Sequence, residues 1–154
     1  MVYPSVAIIQ RMKGKFWLIR IFSKFHGGLY RFSRGRIGTK IGNIQFIMLT
    51  TTGRKSGKKR VVPLASILTG KEYMVIASYG GNSHHPAWFL NLRENPDVEI
   101  QMNNLVIKAK ALIVEKPDSR YQELWEKATA TYHGFDNYQK ATTRNIPIVI
   151  IKPC

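Results

Sequence analysis

From Ile44 onward the chain alternates short aliphatic and β-branched runs with tight glycine- or asparagine-bearing breaks, which favours an antiparallel sheet. The runs are IQFIMLTTT (44–52), VVPLASILT (61–69), YMVIASY (73–79), DVEIQM (97–102), LVIKAKALIVE (105–115) and the closing IPIVII (146–151). Two of the breaks are short enough to be hairpin turns: Gly70-Lys71, and Asn103-Asn104. Helical patterns fill the longer gaps. PAWFLNLREN (86–95) begins at a proline and stops before another. PDSRYQELWEKATATY (117–132) puts Tyr121, Leu124, Trp125, Ala128 and Tyr132 on one face, with Asp118 and Ser119 near its start. DNYQKATTR (136–144) suits a further short helix. Six strands linked mainly by hairpins, with helices around them, predict an α+β fold built on an antiparallel barrel.

The first 40 residues differ in kind. KFWLIRIFSKFHGGLYRF (15–32) spaces Phe16, Ile19, Phe22 and Phe25 as a helix does, with Arg20 and Lys24 on other faces. The expected organisation is a basic amphipathic helix and linker over 1–40, followed by a barrel domain over 41–154. Such a helix caps the barrel or lies on an anionic membrane surface, where Lys13, Lys15, Arg20 and Lys24 would each contribute about 1 kcal/mol. No run reaches the roughly 18 apolar residues of a spanning helix. The lone cysteine, Cys154, is the last residue, so no intrachain disulfide forms and a cytoplasmic setting is expected.

Charge is distributed as unevenly as structure. Residues 1–71 carry fifteen Lys/Arg and no acid, whereas the rest carries nine of each, so the net +15 belongs wholly to the first half. An anionic partner follows: nucleic acid, an anionic lipid surface or a phosphorylated ligand. The charge is densest in TTGRKSGKKR (51–60), where five of the seven residues from Arg54 to Arg60 are cationic. The segment joins two strands and is therefore a hairpin tip whose glycines allow close approach of backbone to an anion. A charged tip also serves solubility alone. It is no Walker loop, since three residues separate the glycines, Lys59 follows Lys58, and no strand-to-helix context exists. A second loop, SYGGNSHHPAW (78–88), leaves a strand and enters a helix, a setting rich in unpaired amides.

Together, LTTTGRKSGKKRVVPL (49–64), VIASYGGNSHHPAWFLNLRENPDVEIQM (75–102) and TYHGFDNYQKATTRNIPIVI (131–150) resemble the deazaflavin-dependent nitroreductase family in order and spacing. The resemblance implies a split antiparallel β-barrel of FMN-binding type and the 8-hydroxy-5-deazaflavin coenzyme F-420, with FMN the lesser candidate. It also implies hydride delivery from the reduced coenzyme to a quinone, a nitroaromatic or another activated acceptor. On the family pattern, Arg54, Lys55 and Ser56 would meet the phosphate of the coenzyme tail, with Arg60 closing over it. Val61, Val62, Pro63 and Leu64 would lie along the ring; Ala77, Ser78, Tyr79 and Gly80 would offer it donors. Ala87, Trp88, Phe89, Leu90 and Asn91 would wall the site. Tyr132, Phe135 and Tyr138 would face the acceptor, and Ser78 and Tyr132 would supply a hydrogen bond or proton to the reduced product. Phe135 stands where the family usually has tyrosine, and Val62 where asparagine is common, which implies an acceptor preference of this chain's own.

Cofactor chemistry of this kind needs positioning rather than a nucleophile–base pair, and the sequence shows none. No metal is expected, since His84-His85 stands apart from His26 and His133 and the only cysteine is terminal. Trp88 and Trp125 are core candidates on helical faces. Two other readings compete: a non-catalytic carrier of a flavin-like or tetrapyrrole-type ligand, and a basic nucleic-acid-binding module. The second lacks any recognisable binding motif, and its cations have no interleaved aromatics, so no nucleic acid is expected.

Overall fold

A computed structural model describes residues 40–41 and 44–154. The amphipathic stretch over 15–32, and with it the expected boundary at 40/41, lies outside the described residues. Seven strands form one sheet: β1 (Lys40–Ile41), β2 (Ile44–Thr52), β3 (Lys59–Thr69), β4 (Glu72–Ile76), β5 (Asp97–Met102), β6 (Leu105–Val114) and β7 (Ile148–Pro153). Their order is β1-β2-β3-β4-β7-β6-β5, every described pairing is antiparallel, and β5 returns to pair with β2. That last pairing, with Leu49 opposite Ile100, closes strands β2 to β7 into the expected barrel. Closure gives each of β2 to β7 a neighbour on both sides over part of its length, so less sheet edge is left free than in an open sheet of this size.

Alternation along β2 sends Ile47, Leu49 and Thr51 inward. Strands β4 and β7 are buried on both faces and so read as unbroken hydrophobic runs. Val75, Ala77, Val149 and Ile151 face the barrel interior, whereas Met74, Ile76, Ile148 and Ile150 face outward into a second cluster. Two helices cover that outer cluster: α2 (Tyr121–Thr131), through Tyr121, Leu124, Trp125 and Ala128, and α3 (Gly134–Lys140), through Phe135 and Tyr138. Helix α1 (Ala87–Glu94) instead packs Trp88, Phe89 and Leu92 with the barrel interior. Phe89 is fully buried, a transfer that contributes about 2–3 kcal/mol.

Several element boundaries differ from expectation. The run 73–79 is a strand only to Ile76: Ala77 still donates its amide to the Pro147 carbonyl, but the backbone then reverses through Tyr79. The helix expected over 136–144 starts at Gly134 and ends at Lys140, because the Gln139 side chain takes over the following carbonyls of Thr142 and Arg144. The same side chain accepts the Ile146 amide, which delays β7 to Ile148. Asp118 does not cap α2 with its side chain, which holds the amide and guanidinium of Arg120; its carbonyl accepts the Tyr121 amide.

Strand β3 runs well past β4. Their register covers only Ser66–Thr69, so among the described residues Lys59–Ala65 is paired on the β2 side alone. Pro63 sits within this overhang, where a missing ladder donor costs little.

Candidate active site

The cationic tip is a tight, internally bonded turn. Gly53 accepts the amides of Ser56 and Gly57 and donates its own to Lys58, at 3.1, 2.7 and 2.8 Å. A Cβ at Gly53 would stand 2.9 Å from Ser56 Oγ and 3.0 Å from the Lys58 carbonyl, so glycine is what permits this close fold. The turn presents Arg54, Lys55, Lys58 and Arg60 to solvent; Lys59 pairs with Glu99 across the barrel seam. Four exposed cations around one turn make a strong attractor for an anionic tail, with geometry suited to phosphate and carboxylate oxygens.

Helix α1 carries both loops. Asn91, only 5% exposed, accepts the Arg54 amide at 3.2 Å and Arg54 Nη1 at 3.4 Å, and donates to Thr51 Oγ1 at 3.2 Å. Two residues earlier on the helix, the Phe89 ring stacks on His85, with centroids 4.8 Å apart, while the Arg93 guanidinium lies 5.9 Å from the Phe89 centroid. The cationic turn and the 77–85 loop are thereby fixed to the same eight-residue helix.

The loop itself is unusual in its backbone. Tyr79, Gly80 and Gly81 are three consecutive left-handed residues, with φ of 48°, 63° and 80°. For tyrosine that conformation costs about 1–2 kcal/mol and persists only where neighbours hold it. Gly81 is held by close packing: a Cβ there would lie 2.9 Å from both the Tyr138 carbonyl and Ala141 Cβ. Beside the reversal, the Ser78 side chain is nine-tenths buried, yet its hydroxyl has no hydrogen-bond partner among the described residues. A buried hydroxyl of that kind calls for a ligand or water to complete it.

An aromatic cluster adjoins this loop through Gly81. Tyr132 meets Phe135 edge-on at 5.2 Å and Tyr138 at 6.2 Å, and the two tyrosine hydroxyls are 3.4 Å apart. Burial, then the Tyr132 hydroxyl, raises the Tyr138 pKa, so Tyr138 stays protonated at neutral pH. The Tyr132 ring lies directly over Gly134, where a Cβ would fall 2.2 Å from the ring carbons. Glycine is therefore what lets Tyr132 fold back onto its cluster.

Most residues implicated from sequence thus lie around one region. Arg54, Lys55, Ser56 and Arg60 are exposed on the turn, with Val61 exposed and Val62, Pro63 and Leu64 half-buried on the β3 overhang. Tyr79 and Gly80 are partly accessible, as are Leu90 and Tyr132; Ala87 is exposed. Trp88 and Phe135 are nearly buried, while Ala77 and Phe89 are fully so. Asn91 has its amide engaged by Arg54 and Thr51. No cluster of metal-ligating side chains occurs among the described residues. A shallow depression lined by Leu112, Leu124 and Ile150 lies against α2 and shares no residue with this region.

Two groups of this region were given no site role from the sequence, His85 having been weighed there only as a metal ligand. His85 is half-buried against Phe89, and desolvation, then the Arg144 charge, lowers its pKa. Arg144, in the segment after α3, hydrogen-bonds into the 77–85 loop at four points. A lone arginine in TTRNIP carries no local pattern that would have marked it.

The donor set fits an elongated anionic coenzyme with a planar ring: cations for a tail, and at the other loop a Ser78 hydroxyl without a partner among the described residues. Comparison with known proteins agrees. An F420H(2)-dependent quinone reductase of Mycobacterium tuberculosis, Rv1261c, is 35% identical over 130 residues, covering 83% of this chain and 87% of that protein. A solved structure titled as an F420-H2 dependent reductase is 36% identical with a TM-score of 0.60, covering 70% of this chain and 93% of the other. Another, described as a domain-swapped dimer, is 31% identical with a TM-score of 0.66 and covers 82% and 94%. The barrel is accordingly of the split, FMN-binding-like type found in these reductases. With residues 22–153 matching the family's own sequence model, the chain belongs to the F420H(2)-dependent quinone reductase family.

Proposed function

We infer that this protein is an oxidoreductase that uses reduced coenzyme F-420 to reduce a quinone. The observation that carries the reading, beside family membership, is the pairing of an exposed cationic turn with a buried Ser78 hydroxyl that has no partner among the described residues. Arg54, Lys55, Ser56 and Arg60 would hold the phosphate and glutamates of the tail. The β3 overhang at Val61–Leu64, the loop from Ala77 to Gly80, and the helix face from Ala87 to Asn91 would hold and wall the ring. When bound, the reduced deazaflavin supplies a hydride to the acceptor. Reduction of a quinone to a hydroquinone needs one proton besides that hydride. Tyr132, its hydroxyl 3.4 Å from that of Tyr138, would hold the acceptor oxygen and pass that proton, with Tyr138 as the protonated neighbour behind it. Ser78 would hydrogen-bond within the same site, and Phe135 would supply an apolar wall that keeps water out.

The reading extends to nitroaromatics as further acceptors, because an apolar, aromatic-walled site selects planar rings rather than one functional group. It extends also to a cytoplasmic setting, with the basic residues of 15–32 lending peripheral contact to anionic lipid. Among the described residues no helix is long and apolar enough to cross a membrane. Co-sedimentation with anionic and neutral vesicles tests the lipid contact; equal binding to both would remove it.

Fluorescence titration with F-420, FMN and an oligonucleotide at physiological salt tests the main reading, followed by oxidation of the reduced coenzyme with a panel of quinones and nitro compounds. Tight F-420 binding with quinone turnover is expected. Binding without turnover would favour a carrier, and salt-sensitive oligonucleotide binding alone a nucleic-acid module. Replacing Lys55 and Arg60 together by alanine should weaken F-420 binding by about 10-fold or more, since two charge-assisted contacts are lost. Unchanged affinity would remove the turn from the site.

A further inference from the structure

Arg144 ties the left-handed loop to the segment after α3 through several bonds at once. Its Nη2 donates to the Ala77 and Ser78 carbonyls at 3.0 and 2.8 Å, and its Nε donates to the Asn82 carbonyl at 2.8 Å. Its Nη1 lies 3.4 Å from His85 Nδ1. A guanidinium has no acceptor, so the imidazole Nδ1 must be the unprotonated nitrogen and the proton of neutral His85 resides on Nε2. Arg144 is itself braced: Gln139 Nε2 donates to its carbonyl at 2.9 Å, and Gln139 Oε1 accepts the Ile146 amide at 3.1 Å.

Peptide geometry gives this clamp a direction. In a planar trans peptide the carbonyl and the following N–H point opposite ways. Drawing the carbonyls of Ala77, Ser78 and Asn82 toward Arg144 therefore turns the amides of Ser78, Tyr79 and Ser83 away from it. The three left-handed residues lie between the clamped carbonyls, which is where strain needs outside support to persist.

We propose that Arg144 is a positioning residue for the ring end of the coenzyme site, holding the 77–83 backbone with the amides of Ser78 and Ser83 presented to the deazaflavin ring. The inference rests on the coenzyme reading given above. It separates ring from tail: the cationic turn grips the acidic appendage, and Arg144 shapes the loop that receives the chromophore.

The test uses the full chain and two probes, F-420 and the deazaflavin ring with its ribityl chain but no phosphate or glutamates. Arg144→Lys keeps the charge, but an ammonium cannot fork across the three carbonyls that a guanidinium spans. It should weaken both probes by the same factor, about 10-fold or more, while Lys55→Ala weakens only the tailed one. Nitrogen chemical shifts should show His85 losing its fixed Nε2–H tautomer in the lysine variant, a change that a purely structural arginine elsewhere would not produce. Gln139→Glu keeps the acceptor for the Ile146 amide and removes the donor to the Arg144 carbonyl. It should weaken both probes several-fold and serves if Arg144→Lys fails to fold. Equal affinity of wild type and these variants for both probes overturns the inference, as does a loss confined to the tailed coenzyme. Wild-type protein that binds neither probe sinks the coenzyme reading and takes this inference with it.

Discussion

Asn91→Ala distinguishes a residue that touches the coenzyme from one that builds the place where it sits. In the structure the Asn91 amide is occupied: Oδ1 by the Arg54 amide and guanidinium, Nδ2 by the Thr51 hydroxyl. Thr51 is 1% exposed, and its remaining bond, to the Arg60 carbonyl, is long at 3.5 Å. Truncation strands that buried hydroxyl, which costs about 1–1.5 kcal/mol. The Arg54 amide belongs to an exposed residue and is rehydrated, so its loss adds only about 0.5 kcal/mol. With the small void left by the amide, the total is about 2 kcal/mol. At about 2–4 °C per kcal/mol for a chain of this size, the coenzyme-free protein should melt about 4–8 °C lower. Circular dichroism melts without coenzyme read this directly, and Thr51→Val should share about 1 kcal/mol of coupling with Asn91→Ala in a double-mutant cycle. A residue that only contacts ligand leaves the coenzyme-free melt in place. A shift below about 1 °C, or strictly additive losses, would refute the brace.

Gly134→Ala should drive the Tyr132 ring off its seat, because the new methyl would fall 2.2 Å from it. Quinone turnover should then drop with little change in F-420 affinity; unaltered turnover would show that the ring need not lie there. Stability should depend on pH through His85, whose pKa is lowered on folding. A lowered histidine pKa means that the unfolded chain binds the proton first, so stability is full above the ordinary value of about 6.5 and declines as pH falls through that range. His85→Gln should flatten that part of the wild-type profile; superimposable profiles of the two proteins below pH 6.5 would exclude the effect.

The barrel was legible because its hairpins are local: Thr52–Lys59 and Met102–Leu105 are strand ends whose turns lie within a few residues. What the pattern could not show was which strands meet to close it. Pairing of β4 with β7 joins Val75 to Val149, and pairing of β2 with β5 joins Leu49 to Ile100; both are fixed by packing among distant segments. The site divides in the same way. The charge of 54–60 announces itself in sequence, and the aromatics of 132–138 stand out once a family pattern is supplied. Arg144 does neither, since its meaning lies in carbonyls more than sixty residues away. The run to Tyr79 read as strand because tyrosine and small residues suit one; only the tertiary hold on Ser78 and Gly81 makes the reversal there affordable.

The overhang of β3 has a consequence for handling as well as for binding. A stretch with one ungloved backbone side invites intermolecular strand addition, the usual seed of aggregates. Arg60 on the strand, with Arg54, Lys55 and Lys58 on the adjoining turn, repels a second copy, and the proline at 63 interrupts any foreign ladder. The positive charge gathered beside the site therefore also acts as a gatekeeper against self-association. Variants that neutralise it should be checked for monodispersity by light scattering before a weaker coenzyme signal is read as lost contact.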